Sequence, residues 1–409
     1  MKTTMNRIIT QSAIGLIIAA AMTSCGESNS SEGTPSAVAV FDDMPVIAER
    51  VELSSGGSVI VAHPEKSDDV RILKLSDLTD DVRIVRLEKS DEALIGAGQS
   101  WITGDRIVIY SNGVVKQFDF DGKYLGEIGG KGNGPGEYTI APYDIYVDSK
   151  AGRIYMVSYN ADKVMSYDSD GTFIENIPLA QKMPKGCIRV DTEKKSITAV
   201  AMCFEGTDAD KQVWTQDFEG NILSSVSKPW LKVPMDFSNE VMSNIGGHAD
   251  GFSYSLFRWE PAPDSVYEYD GTALNPVFTV TKKSGERSHI DKLGSKYVAA
   301  VYGDPQQTSE NTFVVSPGTP ILVDQESLRG GYCNILVDCI GELIWENGWC
   351  MSKSPDYFVM NSSPGSISSW IESSIKKHGI TGDALKKLQD FQATLDEDDN
   401  NIVIFARWK

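Results

Sequence analysis

The chain has 409 residues, 41% of them hydrophobic, with 57 acidic residues against 38 Lys and Arg and a formal net charge of −19. A surplus of that sign repels nucleic-acid phosphates, so DNA and RNA are excluded as partners, and it favours solubility at an anionic cell surface. The length suits one large β domain or two ordinary ones.

The first residues read as an export signal. Lys2 and Arg7 form a short basic region, and residues 8–22 are mostly apolar and uncharged. That run is short for a bilayer span, which needs about 20 apolar residues, and fits a signal peptide. Met22-Thr23-Ser24-Cys25 then resembles the lipobox of bacterial lipoproteins, with Met22 where Leu is usual. The resemblance implies a signal peptide over residues 1–24 and lipid on Cys25. Residues 25–48 open with Ser, Gly, Glu and Asn and are expected to form a flexible tether. No later segment reaches 18 apolar residues, so lipid is the expected membrane anchor.

Residues 49–409 carry a repeat, and repeats decide the fold. Phe118-Asp-Phe-Asp-Gly122 returns as Tyr167-Asp-Ser-Asp-Gly171, Gln216-Asp-Phe-Glu-Gly220, Tyr267-Glu-Tyr-Asp-Gly271 and, degenerately, Val337-Asp-Cys-Ile-Gly341. The spacings are 49, 49, 51 and 70, so the last interval is expected to hold an insertion. Asp-Gly between β runs is a hairpin signal, because glycine supplies the positive φ of a tight turn. Two further strand-like runs precede each hairpin, such as Asp144 to Val147 and Arg153 to Ser158. Four short strands in about 50 residues is a propeller blade. Five hairpins predict five blades. A sixth is predicted from Val82 to Leu87 paired with Asp356 to Met360 and Asn401 to Trp408, closing the ring without an exposed edge. A helical insertion over about 367–395 shows a helix-period stripe at Leu385, Leu388, Phe391 and Leu395 and reads as a cap on the propeller.

The run Phe118 to Tyr138, FDFDGKYLGEIGGKGNGPGEY, resembles the six-bladed β-propeller lipoproteins of Bacteroidetes, related in shape to NHL-repeat propellers. Asp144 to Asp148, Arg153-Ile154-Tyr155 and Asp399 to Lys409 extend the likeness, which is loose over residues 228–330. The resemblance implies the fold, an all-β six-bladed propeller, and leaves the activity open.

Motifs for catalysis are sparse. The glycine run Gly129 to Tyr138 has Lys131 too early and Pro135 among its glycines for a phosphate-binding loop. It is expected to carry the chain from one blade to the next and to lie near the axis. Within it Lys131, Asn133, Glu137 and Tyr138 are the candidate ligand-binding residues. Glu137 is expected to accept loop N–H groups and Tyr138 to pack between blades, which leaves Lys131 and Asn133 as the exposed pair. The paired acids of the hairpins lack the completing glutamate of a calcium loop. The cysteines and the four histidines are scattered without zinc spacing, so neither metal nor cofactor is expected. Cys187 and Cys203 are placed for a disulfide or for buried thiols. The aromatic groups Phe257 to Glu260 and Trp345 to Trp349 suit either a core or a ligand site. The expected function is a lipid-anchored binding or scaffold module, on the outer membrane at its periplasmic or cell-surface side. It would hold a glycan, a peptide or an envelope protein. A propeller hydrolase or lyase acting on an exported polymer is the alternative.

Overall fold

The structure, a computed structural model, describes residues 40–67, 69–226, 231–235, 239–244, 251–255, 265–282, 287–293, 296–302, 306–309, 312–314, 318–346, 354 and 356–409. Cys25, the signal peptide, Phe257 to Glu260, Trp349 and Cys350 lie outside them.

Runs of Val, Ile, Tyr and Phe bounded by Asp, Gly and Asn favour short strands joined by tight turns. Here they assemble six radial sheets, the blades of a propeller. Blade 1 comprises Gln99–Thr103, Arg106–Ser111, Val114–Asp119 and Tyr124–Glu127, from axis to rim. Blades 2 and 3 repeat this order over 142–183 and 186–226, and blade 4 over 240–280. Blade 5 starts at Arg287–Leu293 on the axis and reaches Gly330–Val337 near the rim. Blade 6 is built from both ends of the domain: Tyr357–Ser362 innermost, then Ile402–Trp408, then Thr79–Arg86. Closure by the first and last strands is therefore as the sequence predicts.

Six apolar clusters fill the six joints between neighbouring blades. Trp101, Val108, Ile145 and Ile154 join blades 1 and 2. Ile102, Ile107, Val359 and Phe405 join blades 6 and 1. Between Ser362 and Ile402 the helices Pro364–His378 and Gly382–Gln392 close over the joint of blades 5 and 6, burying Ile367, Ile371 and Leu388. The first starts where Ser363 accepts the Ser366 N–H and ends at left-handed Gly379, both ordinary helix boundaries.

Three features depart from the sequence reading. The segment expected as a tether to residue 48 is packed from Phe41 onward, because Phe41, Met44 and Ile47 are buried apolar side chains. It continues as a clasp. The hairpin Ala48–Glu52 and Ser58–Ala62 adds to the rim of blade 4, and Val70–Lys74 adds to the rim of blade 5. Second, the outer turn of blade 5 is not Asp338 to Gly341. It is Asp324 to Arg329, which lacks an Asp-Gly pair; Asp324 holds it by accepting the Glu326 N–H and the Ser327 hydroxyl. The Asp338 copy follows the fourth strand, and its carboxylate accepts the Ser76 N–H and hydroxyl of the clasp. The expected insertion exists, as the hairpin Gln306–Ser309 and Thr312–Val314 between the second and third strands. Third, the Gly129 to Tyr138 loop is not at the axis. Gly136 is pressed against Phe173 and accepts the Tyr167 hydroxyl, 2.8 Å away. Those residues belong to the two outer strands of blade 2.

Candidate functional site

The axis is the first place to look in a propeller, and its polar groups are engaged in holding the ring. Asp144 on the inner strand of blade 2 accepts the Ile188 N–H of blade 3 at 2.8 Å and the Ser243 hydroxyl of blade 4. Asn361 of blade 6 donates to Ser100 of blade 1 and accepts from Asn401. Lys185, 2% exposed, pairs with Glu240 at 2.6 Å beneath the rings of Tyr143 and Tyr159. Tyr143 donates to the same Glu240 carboxylate, and burial holds its phenol well above the usual range. On blade 5, His289 Nε2 lies 2.9 Å from Asp291 on the same face of the inner strand. Among the described residues, no three or more His, Cys, Asp and Glu side chains gather as a metal site.

An open pocket lies instead between blades 2 and 3, with a volume of about 480 Å³, within the roughly 300–1,000 Å³ of small-molecule sites. Its rim is formed by two equivalent turns, those that follow the inner strands Pro142–Asp148 and Gly186–Asp191. Each strand ends in an aspartate that caps its own turn: Asp148 accepts the Ala151 N–H and Asp191 the Lys194 N–H. The Lys194 ammonium and N–H hold the Asp191 carboxyl below its usual range, so it is an ionised acceptor at neutral pH. Thr192 donates to Asp148 at 2.6 Å and meets the buried Tyr155 hydroxyl at 3.0 Å. Lys150 pairs with Glu193 across the rim.

The floor holds Arg189. It is 9% exposed, lies over the Tyr146 ring at 5.6 Å, and gives Nη1 to the Ile188 carbonyl. Its Nη2 is buried and reaches no acceptor among the described residues. Guanidinium groups are rarely buried without a carboxylate, so this arrangement stands out on an otherwise satisfied wall. The sequence reading missed it. The available signal was a charged residue inside the apolar inner strand Gly186 to Asp191.

The residues chosen from sequence lie elsewhere. Lys131, Asn133 and Glu137 are exposed on the loop between blades 1 and 2. Glu137 accepts the Gly134 N–H at 2.7 Å and rests against Gly132. Tyr138 is withdrawn from any ligand at the surface: it is 3% exposed, in the core of the joint. Trp345 is likewise core, edge-on to Phe358. Cys187, Cys203 and Cys333 are buried thiols, and none forms a disulfide among the described residues.

No curated protein sequence matches the chain. In structure it is similar to a Bacteroides fragilis protein described as exported, at 15% identity and a TM-score of 0.51, covering 83% of this chain and all of the other. A member of the DUF4221 family from Bacteroides vulgatus matches at 12% identity and a TM-score of 0.42, over 81% and 97% of the two chains. The first likeness is one of fold. In sequence, residues 58–407, which take in the propeller and the clasp from Ser58 onward, match the family described as "Domain of unknown function (DUF4934)", and the chain belongs to that family.

Proposed function

We propose that this protein is an exported lipoprotein, anchored through Cys25 at the outer membrane, whose propeller binds a glycan, a peptide or an envelope protein without transforming it. The observation that carries the binding reading is the pocket between blades 2 and 3, with its buried, unsatisfied Arg189 Nη2. Polar groups held on rigid strand ends with spare hydrogen-bonding capacity are what recognition uses. Export and anchoring rest on the basic start, the apolar run and the lipobox-like Met22 to Cys25. Among described residues no helix is long and apolar enough to cross a membrane, and the Bacteroides fragilis protein of the same fold is described as exported. Thermal-shift screening of the purified protein against glycans and peptides tests binding; no shift with any of them contradicts it. Cys25→Ala is expected to move the protein from the membrane to the soluble fraction, and retention on membranes would rule lipid out as the anchor.

A hydrolase or lyase acting on an exported polymer is the second reading. It is favoured by the His289–Asp291 pair on an inner strand, since a carboxylate beside imidazole fixes a general base. Turnover of a polysaccharide that His289→Ala abolishes would select it.

A further inference from the structure

We infer that the pocket between blades 2 and 3 takes an uncharged, polyhydroxylated ligand, a neutral saccharide unit, with Arg189 as its central donor. This rests on the binding reading above. The argument is one of charge and hydrogen-bonding balance. Arg189 needs an acceptor for Nη2, which taken alone would invite an anion. The same pocket, however, is lined by Asp148, Asp191 and Glu193 against Arg189 and Lys150. Lys150 is already paired with Glu193, and Lys194 with Asp191. Those pairs cancel, leaving Arg189 against Asp148, so an anion would meet no net positive charge and would still face repulsion from the Asp148 carboxylate in a partly enclosed space, where like charges cost more than in water. A neutral ligand avoids that repulsion, but it must both accept and donate.

Vicinal hydroxyls do both. With a small shift of the Arg189 side chain, whose free Nη2 is buried in this structure, one oxygen can accept from it while neighbouring O–H groups donate to the spare lone pairs of Asp148 and Asp191. Thr198, whose hydroxyl meets Thr215 at 2.9 Å, adds a further polar wall. A peptide is less well matched. Peptide sites use an open sheet edge or apolar side-chain pockets, and this pocket is rimmed by turns. Its walls are polar apart from Ala151, Val190 and the Tyr146 ring, which Arg189 overlies. The volume of about 480 Å³ accommodates a small saccharide.

Titration calorimetry on the full-length protein in detergent tests this, with glucose, galactose, mannose and N-acetylglucosamine as probes. Glucuronate and a Gly-Ser tetrapeptide are the contrasts. Saturable millimolar or tighter binding of at least one neutral sugar, with glucuronate weaker, is the expected result. Arg189→Lys keeps the charge but loses the planar second nitrogen, and should weaken that sugar by about tenfold or more, the worth of one charge-assisted hydrogen bond. Because Arg189 is buried, Asp191→Asn on the exposed rim provides a second variant that folds independently of it. It should weaken the same sugar by several fold at unchanged melting temperature. Preference for glucuronate overturns the neutrality of the ligand, preference for the tetrapeptide overturns the saccharide assignment, and either leaves the binding reading intact. Sugar binding indifferent to both variants places the ligand elsewhere and overturns the pocket. Failure of all six probes overturns the saccharide assignment; if the wider screen also finds nothing, the binding reading falls with it.

Discussion

Tyr138 and Glu137 are adjacent in sequence and opposite in environment. The Tyr138 ring fills the joint between blades 1 and 2, and its buried hydroxyl has only weak polar contacts with the backbone of Val115 and Gly130, neither with the geometry of a full hydrogen bond. A buried hydroxyl left without a partner costs about 1–3 kcal/mol, so Tyr138→Phe should leave the melting temperature unchanged or raise it. Burial also pushes the Tyr138 phenol up to about 12. The unfolded chain releases that proton from about pH 10, so the unfolded state is favoured first as pH rises. Stability should be intact below pH 10 and fall between about 10 and 12, with a shallower fall in Tyr138→Phe. Thermal melts of both proteins across that range would check the sign, and equal slopes would contradict it. Glu137 by contrast is exposed, and Gln keeps its oxygen acceptor for Gly134. Glu137→Gln should therefore cost less than about 1 kcal/mol in urea denaturation. A larger loss would mean that the charge itself holds the loop.

At the scale of elements, the Asp-Gly turns do more than reverse the chain. The turn of blade 1 packs on the closing strand of blade 6: the Glu88 N–H donates to the Gly122 carbonyl, and a Cβ on Gly122 would lie 2.0 Å from the Arg86 carbonyl oxygen. Gly171 packs less tightly on Gln117 and Ile128 of the neighbouring blade, and a Cβ on Gly220 would make only ordinary contact with Pro178 of blade 2. Gly271 of blade 4 has the same positive φ and open space around it. Gly122→Ala should thus combine backbone strain with a collision and lose about 2 kcal/mol or more, while Gly271→Ala pays only the strain, about 1 kcal/mol. Equal losses in chemical denaturation would show that the contact between blades is unimportant. These turns were also what made the fold legible. An acid followed by Gly, Asp-Gly in three blades and Glu219-Gly220 in the other, is local chemistry, readable without tertiary knowledge, and it located four blades directly. Asp324 caps its turn without glycine, with Leu328 at positive φ, so blade 5 was assigned to the wrong copy. The clasp was illegible for another reason: strands that pair in parallel with partners some 200 residues away, such as Ser58–Ala62 with Leu274–Val280, leave no turn signal. Arg189 was missed because its meaning depends on the blade beside it. Conversely, the glycine-rich loop attracted attention through composition alone, and composition does not separate a loop that grips its neighbour from one that grips a ligand.

For the whole molecule, the ring holds because its ends are spliced. Ile402–Trp408 is the middle strand of blade 6, bonded on one side to Tyr357–Ser362 and on the other to Thr79–Arg86. Its Val403 and Phe405 face the joint with blade 1, and Ile402 and Ile404 face the joint with blade 5 and the helices. Removing Asn401 to Lys409 would strip both ladders at once and open two of the six apolar joints. The buried Asn401 would be lost too, and with it the bond to Asn361 near the axis. Losses of that breadth exceed the roughly 5–15 kcal/mol by which domains are stable. The clasp cannot compensate: Thr79–Arg86 would lose its partner strand, and the bonds from Lys409 to the Leu78 and Ser76 carbonyls would go with the deleted segment. The truncated chain should show no cooperative thermal transition and should expose apolar surface that binds a hydrophobic dye. In the intact protein, amide protons of Ile402–Trp408 should exchange only through global unfolding, more slowly than those of the exposed loop around Lys131. A truncated protein that melts at the unaltered temperature would refute closure by this strand.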